Sequence, residues 1–434
     1  MKMLTGFFKN VISILKVFFL LICALFLPQF FVWHNQASQT PAIVPTSNQF
    51  KLGLENFSQS NLATFMPTKS VKILNVALIT NHTGTDQAGN HIIDILQQKG
   101  ITIKKVFIPH SSKNGNIQLS DASGVVKPAI IKLPAKKVGS LFAAQCFKDI
   151  DIVVFDMQDS GMRQYGFITT LLDAMEKAAR DSKKFIVLDR PNLLGWCMEG
   201  MLPNNTIASV YNVLQVPLRH GMTIGELANY FNKFVLTKSV SLEIIPMQNY
   251  DRQAFTHKPL LAGLSANIAC IDACYGYSFL GLLGEVAPFD IGVGTDKAFQ
   301  CLLLPETIKF PNKKWHELRE LFKNYGIESK IYRTYSQRKK VYCKGLRLYV
   351  QDINRFSSFN TMLAVLKFFK DAGVKLTFSP AFDQTIANDK VRRLLDGKIS
   401  HNDLALQANS ELQSFFKKAF SCFLYKPFPK MLSV

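Results

Sequence analysis

Residues 150–190 read IDIVVFDMQDSGMRQYGFITTLLDAMEKAARDSKKFIVLDR, and this stretch decides the fold. Ile150–Phe155 is apolar apart from Asp151, the pattern of a strand buried on both faces. Phe167, Ile168, Leu171, Leu172, Met175 and Ala179 then recur at the spacing of one helix face. Phe185–Leu188 is a second short apolar strand. Strand, helix and strand in this order predict a βαβ unit, and so a parallel sheet covered by helices.

Working outward, the pattern recurs upstream. Val76–Thr80 reads as a strand, Gly84 to Gly89 as a turn region, the cluster Ile92, Ile93, Ile95 and Leu96 as a helix, and Ile103–Ile108 as the next strand. Downstream, Leu242–Pro246 is a further strand. Residues 256–300 are rich in Gly, Ala and turn residues and receive no regular element. Leu346–Val350 reads as a strand, with helices near 361–369, 389–395 and 411–420. The fold class is α/β, with a boundary near 255–260 and a second part that is α/β or α+β.

The chain has 434 residues, a length that suits two domains. With 48% hydrophobic and 19% charged residues, it can bury a large core. Lys2, Lys9 and Lys16 precede an apolar run from Val17 to Leu27, which resumes at Phe30–Trp33. A positive start before a short apolar core is the pattern of an export signal. Residues 1–36 are therefore expected to be a signal peptide or an uncleaved membrane anchor, and residues 37–52 a linker. The net charge of +20 favours anionic partners, although lysine-rich composition alone would also produce it. The linear sequence contains no nucleic-acid motif or basic patch interleaved with aromatics, so nucleic acid is not an expected partner. The eight cysteines lack metal-site spacing; most read as small buried hydrophobes, with one or two disulfide bridges left open.

Ligands of an open parallel sheet bind at the carboxyl ends of its strands. Four expected strands end in polar clusters: Asn81 and His82; His110, Ser111 and Ser112; Asp156, Gln158 and Asp159, with Arg163 and Tyr165 close behind; and Asp189, Arg190 and Asn192. Each has a plainer alternative as a turn, a helix cap or a local ion pair. Together they are expected to converge on one crevice. Thr223 to Glu226 has capping-box spacing, which makes Glu226 structural. His220, just before it, either meets a ligand or satisfies local backbone. The sequence holds no phosphate-binding glycine loop and no nucleophile elbow, so a nucleotide cofactor is not supported.

The strings NVALITNHTG (75–84), VVFDMQDSGMRQY (153–165), VLDRPNLLG (187–195), VPLRHGMTIGELANYFN (216–232) and GLRLYVQD (345–352) resemble, in this order, the exo-β-N-acetylmuramidase (NamZ-type) family. The likeness runs from about Gly53 to Tyr425. It implies a Rossmann-like doubly wound N-terminal domain (53–257), a smaller C-terminal domain (258–434), a cleft between them and no cofactor. It also implies release of terminal N-acetylmuramic acid from peptidoglycan fragments by a protein of the cell envelope. Three departures stand out. The family's Glu-His after the second strand is here His110-Ser111. A later Glu and Arg are Ile291 and Val293, with Glu285 kept. A Pro-Ser-Pro-Asn string is Leu264-Ser265-Ala266-Asn267.

Glycoside hydrolysis ordinarily uses two carboxyl groups. The resemblance thus points to Asp156, Asp159, Asp189 and Glu285, with His110 standing in for the lost acid, as the catalytic set. Asn81, His82, Gln158, Arg163, Tyr165, Arg190, Asn192, His220 and Asn267 would contact substrate, the two arginines taking the lactyl carboxylate. The rival expectation is a catalytically inactive muropeptide-binding protein on the same fold.

Overall fold

The structure is a computed structural model that describes residues 49–59, 74–110, 128–134, 140–204, 207, 209–253 and 263–427. The expected signal or anchor, most of the linker, and Ser111 and Ser112 lie outside the described residues. Among the described residues no helix is long and apolar enough to cross a membrane.

Six parallel strands form the main sheet: β1 (Asn75–Thr80), β2 (Thr102–Ile108), β3 (Ala129–Lys132), β4 (Ile152–Asp156), β5 (Lys184–Leu188) and β6 (Ser241–Ile245). Their order is β3-β2-β1-β4-β5-β6, so the winding reverses between β1 and β4. The register sets Val76 beside Ile152 and Thr80 beside Asp156. This is the doubly wound, Rossmann-like order, and the reversal opens a crevice at the carboxyl edge.

Both faces of the sheet are covered, as its apolar strands require. Leu54 and Phe57 of α1 (Gly53–Gln59) and Ile92, Ile93 and Leu96 of α2 (Ile92–Gln98) pack on one face. The other carries α3 (Phe167–Arg180) and α4 (Ile224–Phe234), whose buried stripes include Leu171, Met175, Leu227 and Phe231. The capping box is formed: Glu226 N donates to Thr223 Oγ at 3.2 Å, and Thr223 N donates to the Glu226 carboxylate at 2.9 Å.

The second part is built around α5 (Ile271–Leu283), within the stretch expected to lack regular elements. The expectation failed because IDACYGYSFLGLL is apolar nearly all round; a helix buried on every side has no amphipathic period to read. Its Gly276 is required by packing, since a Cβ there would fall 1.6 Å from the Phe299 carbonyl oxygen. After β7 (Val286–Ala287), an antiparallel sheet follows with the order β8-β10-β9, from β8 (Cys301–Pro305), β9 (Ile327–Ser336) and β10 (Val341–Val350). Helices α6 (Asn312–Asn324) and α7 (Ser358–Asp371) close this core. The strand β11 (Thr377–Phe378) and helices α8 (Pro380–Ile386), α9 (Lys390–Leu395) and α10 (His401–Ala419) complete the chain.

The last helix returns to the first core. Leu412, Phe415 and Ala419 of α10 pack among the residues of α3 and α4. Beyond it, Leu424 N donates to Glu226 Oε1 at 3.0 Å, and Tyr425 Oη donates to Asp189 Oδ2 at 2.7 Å. Residues Phe50–Val434 thus form one compact unit. The seven described cysteines are all free, and five of them are buried.

Candidate active site at the carboxyl edge of the sheet

Strands β2, β1, β4 and β5 are neighbours, so the described members of the four polar clusters follow adjacent strand ends. Asp156 ends β4 and is fully buried. It does not pair within its own strand end; Arg190, just past β5, grips it with Nε to Oδ1 at 2.5 Å and Nη2 to Oδ2 at 2.8 Å. Arg190 Nη2 also donates to the Thr85 carbonyl at 3.0 Å. A bidentate fork of this kind fixes both groups and ties β5 to β4 and to the turn after β1. Thr80 Oγ donates to the Asp156 carbonyl at 2.7 Å.

Asp159 and His220 form the other pair. Gly161 N donates to Asp159 Oδ2 at 2.7 Å. Gly161 adopts φ +91°, and a Cβ there would meet Asn192 Oδ1 at 2.3 Å, so only glycine fits this turn. His220 N donates to the Gly161 carbonyl at 3.3 Å, which brings the imidazole over the same turn. Met222 N donates to His220 Nδ1 at 3.3 Å, which leaves the proton of the neutral ring on Nε2. Nε2 lies 3.3 Å from Asp159 Oδ2, short of hydrogen-bond alignment. Asp159 Oδ1 and His220 Nε2 are buried and have no hydrogen-bond partner among the described residues. Buried polar atoms left this way are costly, so they mark a place where a ligand or water belongs.

Several other expected site residues build this edge. Asn81 Oδ1 accepts from Thr83 N at 2.9 Å and Thr83 Oγ at 2.6 Å, an Asx turn. Gln158 Nε2 donates to the Asp159 and Pro191 carbonyls at 2.9 and 2.6 Å. Asn192 Nδ2 donates to the Met222 carbonyl at 2.8 Å, while its Oδ1 accepts from Leu194 N at 2.8 Å. His82 Nε2 lies 2.6 Å from the Gly263 carbonyl, and Tyr165 Oη donates to the Leu264 carbonyl at 2.9 Å. Burial, and then the charge of Asp159, hold the Tyr165 phenol well above its usual range. His110 is exposed, just past β2.

Four of the expected site residues spend their side chains on other partners. Arg163 does not offer its guanidinium to a carboxylate: it is fully buried and donates to the carbonyls of Met201 and Val216, both at 2.8 Å, and of Ile386. Burial lowers its pKa to about 9. Asp189 faces away from the crevice. It accepts from Arg190 N (2.9 Å), Gly225 N (2.8 Å), Thr223 Oγ (2.9 Å) and Tyr425 Oη (2.7 Å). Burial first, and then the charge of Glu226, push its pKa up to about 6. Glu285 accepts from Ser379 Oγ at 2.7 Å, at the start of α8, and none of its hydrogen bonds goes to the edge. Asn267 Oδ1 accepts from Gly294 N at 3.1 Å, joining two loops. In each case short-range sequence could supply the polar atom but not the direction in which it points.

The reading also missed a buried ion pair. Arg219 Nη1 donates to Glu199 Oε1 at 2.6 Å, with the guanidinium 4.0 Å from the Trp196 ring centre. Glu199 further accepts from Ser357 Oγ at 2.6 Å, Ser358 N at 2.9 Å and Phe359 N at 3.2 Å, the N-terminal turn of α7. This carboxylate therefore fastens the second part to the first at a helix N-terminus. The adjacency of Arg219 to His220 was the only sequence signal.

A doubly wound sheet with acid and imidazole groups at its switch point, capped by a smaller mixed part, defines an α/β protein of the crevice-binding class. Profiles for the N-terminal and C-terminal domains of the exo-β-N-acetylmuramidase NamZ match residues 76–268 and 275–425. The chain belongs to this family. It is 29% identical over 389 residues to the peptidoglycan β-N-acetylmuramidase NamZ of Bacillus subtilis (strain 168), covering 85% of this chain and 91% of that one. A crystal structure of a DUF1343 family protein from Bacteroides fragilis NCTC 9343 superposes with a TM-score of 0.74 at 26% identity, covering 88% of this chain and 100% of its own. A second DUF1343 structure from that organism has a TM-score of 0.67 at 22% identity, covering 87% and 99%, and shares the fold.

Proposed function

We propose that this protein is a cell-envelope glycoside hydrolase that releases terminal N-acetylmuramic acid from peptidoglycan fragments at the carboxyl edge of β1, β4 and β5. The observation that carries this reading is the Asp159–His220 pair, whose buried Oδ1 and Nε2 have no hydrogen-bond partner among the described residues. Hydrolysis of a glycosidic bond needs a proton delivered to the leaving oxygen and a base or nucleophile at the anomeric carbon. Asp159, coupled to His220, supplies one of these groups. His110, exposed just past β2 where the family pattern has its acid, is the candidate for the second group. Arg190, oriented by Asp156, is the guanidinium at this edge that would take the lactyl carboxylate. The test is release of N-acetylmuramic acid from muropeptides by the purified protein, with Asp159→Asn as the inactive control.

One observation favours a second reading, an inactive muropeptide-binding protein. Ile291 and Val293 stand where the family pattern has Glu and Arg; Ile291 is buried in the second core, with Val293 packed against it. Apolar groups there can neither bind nor protonate a sugar oxygen. Tight muropeptide binding with no sugar released would establish this reading in place of the first.

A further inference from the structure

Pairing of β9 with β10 gathers onto one hairpin a run of basic residues interleaved with tyrosines, a patch overlooked in the linear sequence. Residues 327–350 hold seven lysines and arginines and four tyrosines against a single acid, Glu328. The register sets cations opposite cations twice: Arg333 beside Lys344, and Lys330 beside Arg347. Like charges directly across a sheet repel, so each pair needs an explanation. The first has one. Glu306 accepts from Arg333 Nε at 2.6 Å and Nη2 at 2.9 Å, and Lys344 Nζ donates to Asn312 Oδ1 at 3.0 Å.

The second pair has no such partner. Neither Lys330 nor Arg347 forms an ion pair among the described residues, and Arg347 Nε is buried with no acceptor. The acids near it are Glu328, two residues along the same face, and Asp296, whose carboxylate is held by Lys297 at 2.5 Å. Strand alternation puts Tyr332 and Tyr349 on the same face as this pair, and the Arg347 guanidinium lies 5.0 Å from the Tyr349 ring centre. Two loops link this face to the candidate active site. Lys297 O accepts from Cys301 Sγ, in β8 beside Arg347; Gly294 N donates to Asn267; and the segment Gly263–Asn267 touches His82 and Tyr165.

We propose that the Lys330–Arg347 pair, flanked by Tyr332 and Tyr349, binds a carboxylate of the peptidoglycan strand, outside the hydrolytic site, and holds the enzyme on its polymer. The partner's identity rests on the function proposed above. Carboxylate between the two cations relieves their repulsion, and tyrosine faces suit the apolar faces of sugar rings. Because the pair is at the surface, retention weakens as salt rises.

The experiment is co-sedimentation with purified sacculi stripped of secondary polymers, alongside turnover of a small soluble muramoside. The double variant Lys330→Gln/Arg347→Gln is expected to lose at least tenfold in retention on sacculi, with turnover of the small substrate unchanged. Lys330→Glu tests the same point while building an ion pair with Arg347; it is expected to lose retention and to melt at a higher temperature than the parent. Unchanged retention in both variants would overturn the proposal, and so would tighter binding of a short DNA duplex than of sacculi through the same two residues. Retention that depends on Lys330 and Arg347 in a protein that releases no sugar leaves this inference standing and removes the hydrolase reading.

Discussion

Two buried aspartates, at the ends of neighbouring strands, have opposite environments. Asp189 accepts four hydrogen bonds, from two backbone amides and two hydroxyls on three different segments. Among the described residues Asp159 accepts one backbone hydrogen bond, touches His220 without bonding it and leaves Oδ1 unpartnered. A satisfied buried carboxylate stabilises the segments it joins; an unsatisfied one stays buried only if something else completes it. The difference teaches that residue type and strand position mark a crevice, while hydrogen-bond completeness separates scaffold from site.

The strongest test of this contrast is Asp159→Asn. It should lower sugar release by about 10²–10⁴-fold and change unfolding free energy by less than about 1 kcal/mol. A large loss of stability with activity retained would reverse the assignment. Glu199→Ala should show the opposite behaviour, because it strands Arg219 in the interior. Denaturant unfolding should show a loss of about 3–5 kcal/mol, and a smaller loss would mean that Arg219 finds another acceptor.

Asp189→Asn should cost about 1.5–3 kcal/mol at neutral pH, since an amide cannot accept from four donors. It should also alter the pH profile. The Asp189 carboxyl has its pKa raised from 3.8 to about 6, so the native state holds a proton that the unfolded chain has released. Its contribution to stability is full below the unfolded value and is lost as pH rises through about 6. Urea midpoints measured between these limits should fall less steeply with pH in the variant. The smallest effect is expected from Tyr425→Phe, which removes one hydroxyl from a carboxylate that keeps three other donors; a loss of about 1 kcal/mol in the same assay would fit.

The parallel sheet was legible because β1, β4 and β5 are largely apolar runs, β2 is apolar apart from Lys104 and Lys105, and α3 has a clean 3.6-residue period. β3 was not, since AIIK is short and mostly exposed. Helix α5 was missed for the opposite reason: it is apolar and buried over most of its circumference. The edge was legible as a set of strand ends, and the capping box at Thr223 could be read from spacing alone. What sequence could not supply was partner choice: Arg190 grips Asp156 rather than its neighbour Asp189, and Arg163 turns inward to three carbonyls. The Glu199–Arg219 pair depends on contacts across segments, which no local window contains; the basic, tyrosine-rich run at 327–350 was in plain view, and only the facing of Lys330 and Arg347 needed the strand register.

Tyr425 has a bearing on how the chain is made. The cradle of Asp189 and Glu226 sits in the first half, yet its final donors come from Leu424 and Tyr425. A nascent chain leaving the ribosome therefore exposes the whole six-stranded sheet long before those donors emerge. The first half must wait, incomplete, for the last helix and the residues behind it, and a chain arrested before them would keep two acids buried or half-buried without their full complement of donors.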